Sequence, residues 1–205
     1  MHIVFFVEEL SAEVALQAIV PKVVGQETSF QVHPFESKPD LLKRLPERLK
    51  AYSNWLPEDW RIVVLIDEDR QDCLKLKRQL EGMCIKAGFP TKTKPRPDGF
   101  FHAVNRVAVE ELEAWFFGDP QAVLTAYPDV PTGFAQGRRF RDPDAIPGGT
   151  AEVLERILRR AGYYRGGLGK VQAARDIARH MDPTRNRSRS FCHFRDALIQ
   201  LAMSS

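Results

Sequence analysis

A chain of 205 residues, 43% of them hydrophobic, is long enough to bury one large core. No apolar run approaches the ~20 residues of a membrane-spanning helix, and the first residues lack the basic stretch and small-residue cleavage site of a signal peptide. Net charge is only +3, yet residues 156–195 hold eleven Lys and Arg against Asp176 and Asp182, a local +9 that points to a polyanionic partner. Cys73, Cys84 and Cys192 are scattered without metal-ligand spacing, which predicts reduced core thiols in a cytoplasmic protein.

In chain order, His2–Val7 is an apolar run that predicts a buried strand ending in Glu8. Ser11 is placed to cap a helix to about Val24, with Leu16, Ile19, Val20 and Val23 on one face. Thr28–Pro34 predicts a second strand. Lys38–Trp55 predicts an amphipathic helix, with Pro46 expected to kink or break it. Arg61–Ile66 predicts the third strand, and Gln71–Ala87 a helix stopped by Gly88. Pro90–Lys94 reads as a short fourth strand and Phe100–Val109 as another, followed by a helix over Glu110–Phe117. Asp119–Gly149 is rich in Pro and Gly and reads as loop, with a short helix around Gln121–Ala126. Three more helices follow: Ala151–Ala161 capped by Thr150, Lys170–Met181, and Phe191–Met203 capped by Ser190. Alternating strands and helices predict an α/β fold with a mostly parallel sheet flanked by helices, and a helical, basic C-terminal part. The division falls at 1–118 and 119–205, although a single domain fits as well.

The chemistry lies in the acids. Glu8 follows one strand directly, and Asp67-Glu68-Asp69 follow another. Ligands in open α/β sheets sit outside the carboxyl ends of the strands. Neighbouring carboxylates repel unless a cation or proton lies between them, and hard oxygen donors suit Mg²⁺ or Mn²⁺. Asp67 and Asp69 are therefore candidate metal ligands, and Glu8 a ligand or general acid/base. The structural alternative is that Asp67 or Asp69 caps the following helix. Glu110, Glu111 and Glu113 form a third acidic group, which the dipole of a helix beginning there would also favour. Lys38, a cation at a helix start, is a candidate for holding a phosphate or a carboxylate. The loop Tyr163–Lys170 lacks the order of a P-loop, but its glycines and the helix beginning near Lys170 suit phosphate. With Arg165, Arg175, Arg179, Arg185, Arg187 and Arg189 around it, the segment is expected to grip a nucleic-acid backbone.

The succession of strand-Glu8 and strand-Asp67-Glu68-Asp69 resembles the Toprim domain of topoisomerases, bacterial primases, a ribosomal-RNA maturase and the overcoming-lysogenization-defect nucleases. The Toprim start, Val-Glu-Gly with an acid a few residues on, is matched by Val7-Glu8-Glu9 and Glu13, with Glu9 in place of the glycine. This likeness covers about residues 1–115. More narrowly, the whole chain resembles the bacterial family called domain of unknown function 4276. The residues that carry this are Lys38-Pro39-Asp40-Leu41-Leu42, the Asp67/Asp69 strand end, Glu111-Leu112-Glu113-Ala114-Trp115 and Ser190-Phe191-Cys192-His193-Phe194. The resemblance implies a Mg²⁺-dependent nuclease, a hydrolase linked to phage or mobile-element defence and sometimes found beside an ATPase. Glu111 and Glu113 would then complete the metal shell of Glu8, Asp67 and Asp69. Two other readings stay open: a non-catalytic Toprim-like partner subunit of an ATPase or another protein, and a small-molecule phosphotransfer enzyme.

Overall fold

The computed structural model describes residues 1–203. The strands are β1 (His2–Val7), β2 (Ser29–Pro34), β3 (Trp60–Asp67) and β4 (Ala103–Ala108). They form one all-parallel sheet in the order β2-β1-β3-β4. The chain is an α/β fold, as the alternation of elements predicts. Helices α1 (Leu10–Val24), α2 (Lys38–Ser53) and α3 (Cys73–Lys86) make the crossovers that parallel pairing requires. The remaining helices are α4 (Glu113–Gly118), α5 (Pro120–Ala126), α6 (Thr150–Arg160), α7 (Lys170–Ala178) and α8 (Arg189–Met203).

Side chains alternate across each strand, so the continuous apolar runs feed two cores. Val4, Phe6, Val64 and Ile66 meet Leu41, Leu45 and Leu49 of α2 and Leu76 and Leu80 of α3. Phe5, Val7, Val63 and Leu65 meet Leu16 and Ile19 of α1 and, from the C-terminal part, Leu154, Ile177, Phe191 and Phe194. Trp115 of α4 is fully buried against the rings of Phe191 and Phe194, with centroids 5.2 and 4.9 Å away. Residues before and after position 118 thus share one apolar core.

Several local expectations are corrected. Pro90–Lys94 is not a strand: among the described residues it makes only isolated bridges, Thr91 to Lys94 and to Ala103. Prolines at 90, 95 and 97 remove donors that a ladder would need. Pro46 does not break α2. It sits on the exposed side, where water can take up the released carbonyl, while Leu41, Leu45 and Leu49 hold the buried face. Ser11 lies inside α1 and donates to Glu9 instead of capping. The cap of α3 is Asp72, whose side chain accepts the Lys75 N–H, so neither Asp67 nor Asp69 has that role. Thr150 is the first residue of α6 and not its cap. Ser188, and not Ser190, takes the first-turn N–H of Phe191.

Gly118 closes α4 where no side chain fits. A Cβ there would collide with Asn186 Oδ1 and stand 2.9 Å from the Ser188 nitrogen. Asn186 is committed, donating to the Trp115 carbonyl at 2.8 Å and accepting from Ser188 N–H at 3.0 Å. Gly118→Ala should therefore destabilise the protein by about 3 kcal/mol, lowering the melting temperature by about 10 °C. A drop below about 2 °C would show that the Asn186 turn yields freely.

Candidate acidic site

Three adjacent strands bring their carboxyl ends to one place. Glu8 and Glu9 follow β1, Asp67 ends β3 with Glu68 and Asp69 after it, and Glu110, Glu111 and Glu113 follow β4. β1 pairs directly with β3, so Glu8 and Asp67 are on neighbouring central strands. Glu8 Oε2 accepts the Asp67 N–H at 3.1 Å. The loops after β3 and β4 are tied as well: Asp69 N–H donates to the Glu110 carbonyl at 3.0 Å, and Glu110 N–H to Glu68 Oε2 at 3.1 Å. Asp69, Arg70 and Glu110 have φ of 48°, 62° and 63°, left-handed values that cost non-glycine residues energy. The φ of Glu110 is also why α4 starts at Glu113, later than the sequence predicts.

Burial and mutual repulsion set the electrostatics. Asp67 is buried, and desolvation, then Glu113, Glu8, Glu9 and Asp69, push its carboxyl well above the ordinary range. Glu113 is 2% exposed, and burial raises it to about 7 although Lys170 pulls the other way. Its Oε2 has no hydrogen-bond partner. Burial also raises Glu8, against the opposing pull of the Asp67 N–H and Lys38.

Two lysines answer this charge. Lys170, at the start of α7, has its Nζ 3.9 Å from Glu9 Oε1. Burial alone would lower its pKa, but Glu113, Glu9, Glu111 and Asp67 outweigh that and raise it. Lys38 is 4% exposed, with Nζ 2.9 Å from Asp69 Oδ2, an ion pair without hydrogen-bond geometry. Glu111 is held from another side, its Oε2 accepting Thr150 Oγ1 at 3.0 Å and the Ala151 N–H at 2.9 Å. This puts a carboxylate at the N-terminus of α6, where free N–H groups favour it. A cavity of about 270 Å³ opens beside these loops, lined by Asp69, Arg70, Glu110, Glu111, Gly149 and Glu152.

The donor set suits a hard divalent cation: every candidate ligand is a carboxylate oxygen, and Glu113 Oε2 is buried without a partner. Among the described residues, no three His, Cys, Asp or Glu side chains are already arranged to hold a metal ion. The match is therefore one of charge and donor chemistry.

The family model described as Domain of unknown function (DUF4276) matches residues 7–201. The chain belongs to this family. The matched span contains all the carboxylates above and every basic residue singled out in the sequence. Neither the comparison with curated proteins nor that with solved structures found a match.

The basic candidates of this DUF4276 protein differ in what their side chains meet. Lys38 and Lys170 are placed against carboxylates. Arg185 donates through Nε to Asp119 Oδ1 at 2.7 Å, where Asp119 is 1% exposed and also accepts the Asp182 N–H. Arg179 pairs with Asp176 at 3.8 Å, and Arg175 reaches Gln172 at 3.4 Å. Arg165, Arg187 and Arg189 are exposed, and Arg187 ties its backbone N–H to the Gly118 carbonyl at 2.9 Å. Sequence reasoning passed over Glu9 as a site residue. Its signal was the doubled acid at the end of β1, Val7-Glu8-Glu9. No local signal tied Lys170 to the acids, because it comes from a distant helix. No described helix is long and apolar enough to cross a membrane.

Proposed function

We propose that this DUF4276 protein is a divalent-cation-dependent phosphodiesterase acting on nucleic acid, with the Toprim-like relationship that its sequence resemblance implies. The observation that carries the reading is the meeting of carboxylates from three neighbouring strand ends, with Asp67 and Glu113 buried and pushed towards protonation. Such a cost persists where a function needs it. Asp67, Asp69 and Glu113 are the residues that would hold Mg²⁺ or Mn²⁺, with Glu8 and Glu111 beside them. When bound, the cation supplies positive charge to phosphoryl oxygens and makes a water more acidic.

The chain's own residues supply the rest. Glu8, its pKa raised and its Oε2 held by the Asp67 N–H, is suited to holding and returning a proton. Lys170, whose charge Glu113 and Glu9 favour, would contact a phosphate entering over them. Asp69 and Arg70, held at left-handed φ, line the cavity beside the acids. The exposed Arg165 and Arg187 would hold backbone phosphates without reading bases. The setting implied by the resemblance is phage or mobile-element defence.

A second reading, a non-catalytic partner subunit of an ATPase, is favoured by one observation. Lys38 and Lys170 offset part of the charge of the acid cluster. Incubating purified protein with single- and double-stranded DNA and with RNA separates the two. Cleavage in Mg²⁺ or Mn²⁺ that stops in EDTA is expected. No cleavage of any substrate in either metal would move the reading to the partner subunit.

A further inference from the structure

Helix α6 borders the acidic site at its first turn and a different surface further along. Thr150 and Ala151 hold Glu111, and Gly149 and Glu152 line the cavity beside the acids. Val153, Arg156, Ile157 and Arg160, on the next turns of the same helix, line a second cavity of about 420 Å³. Arg156 lies one turn beyond Glu152, about 6 Å along the axis, and Arg160 one turn further. The rest of the lining comes from residues 131–140, chiefly Phe134, Arg139 and Phe140.

Every ionisable side chain that lines this groove is an arginine. Arg139, Arg156 and Arg160 are exposed, and none forms an ion pair or a side-chain hydrogen bond among the described residues. The acids nearest in sequence are engaged elsewhere. The Glu152 carboxylate fills the place of a Gly149 Cβ, and Glu155 pairs with Arg159 at 3.8 Å. Asp129 accepts the Tyr163 hydroxyl at 2.9 Å, and Asp142 the Asp144 N–H at 3.1 Å. Positive potential therefore gathers in a concave, partly apolar place, which favours an anion. The apolar part is Phe134, Phe140 and Ile157, with the two rings 6.3 Å apart and backed by the buried Phe117. The Arg139 guanidinium lies over the Phe140 ring, 4.8 Å from its centroid.

We propose that this groove binds a single-stranded stretch of nucleic acid, the part of a substrate that flanks the phosphodiester at the acidic site. The link to a phosphodiester rests on the function proposed above, whereas the preference for a single strand comes from the groove itself. A single strand offers phosphates and uncovered bases together. The three arginines suit the phosphates, and the guanidinium plane and apolar lining suit the bases. A duplex keeps its base faces stacked inside, so it reaches the arginines and not the apolar lining. An acidic peptide matches the charges but brings no planar group with each of them.

Binding to the full chain is read in EDTA by fluorescence anisotropy, which separates it from cleavage. The probes are a twelve-residue oligothymidine, an abasic chain of the same length and a twelve-base-pair duplex. Wild type should bind oligothymidine about tenfold or more tightly than either of the others. The double variant Arg156→Gln, Arg160→Gln should keep its melting temperature and lose about tenfold or more in affinity for oligothymidine. Its salt slope should fall in magnitude by about 1.4, for two lost phosphate contacts on a single strand. Lys43→Gln, Lys50→Gln removes the same charge from exposed positions of α2 and should bind as wild type does. Equal affinity for the abasic chain or the duplex would overturn the proposal, as would equal losses in the two double variants. Displacement by polyglutamate as effective as that by unlabelled oligothymidine would overturn it in favour of an acidic protein partner. Binding lost only in the groove variant, with no cleavage by wild type, would keep the groove and remove the phosphodiesterase reading. Metal-dependent cleavage with unchanged binding by the groove variant would remove the groove and keep that reading.

Discussion

Asp67→Asn should reduce metal-dependent cleavage by about 10³-fold or more, while making the metal-free protein more stable. Both effects come from one carboxyl. Asp67 is buried among Glu113, Glu8, Glu9 and Asp69, so its charge is costly unless a cation offsets it. An amide of the same shape removes that cost, worth about 1–3 kcal/mol, and with it a ligand that a cation would neutralise. Mg²⁺ or Mn²⁺ should raise the melting temperature of wild type, since binding only the native state stabilises it. Because the acids must lose protons to bind, the shift should grow with pH. The variant should show little or no shift. A variant with the wild-type rate and the wild-type metal response would remove Asp67 from the site. A less stable variant would mean that its neighbours favour the charge, contrary to the burial argument.

Glu113→Gln should change the pH dependence of stability between pH 4.5 and about 7. The folded-state value of about 7 lies above the ordinary 4.5, so the native protein holds this proton more tightly than the unfolded chain does. Stability from this group is greatest below pH 4.5, falls as pH rises from 4.5 towards 7, and stays at its low level above that. The Gln variant lacks the titration. Its advantage over wild type should be near zero at pH 4 and reach about 3 kcal/mol by pH 8, read by urea unfolding across the range. A constant difference would show that folding leaves the Glu113 pKa unshifted, the pull of Lys170 cancelling that of burial. Replacing Lys170 by Met in the wild-type background should then steepen the fall, since the cation opposes the burial of Glu113.

The basic residues call for a narrower test than their sequence spacing invites. Charge reversal at Arg185 would leave Asp119 buried and unpaired, so lost nucleic-acid affinity there would be confounded with lost folding. Arg165 and Arg187 carry no such ion pair among the described residues and are the clean positions for a salt-dependence measurement.

The sequence by itself determined the strands β1 and β3, because a parallel strand buried on both faces must be apolar along its whole length. It therefore also marked Glu8 and Asp67 as the points where burial ends. Helix α2 was equally legible from Leu41, Leu45 and Leu49, and Pro46 misled only because the cost of a proline depends on whether its freed carbonyl reaches water. The meeting of the acids was decided by tertiary structure. Strand order puts β1 beside β3, and a backbone turn at Glu110 delays α4 until Glu113 is buried. Lys170, more than fifty residues further on, then arrives beside Glu9 through the packing of α7. The run of arginines was visible as charge, but its division between ion pairs and free side chains was not. That division depends on which acid each guanidinium meets, and Asp119 meets Arg185 only because α4, α5 and the loop after α7 fold against one another.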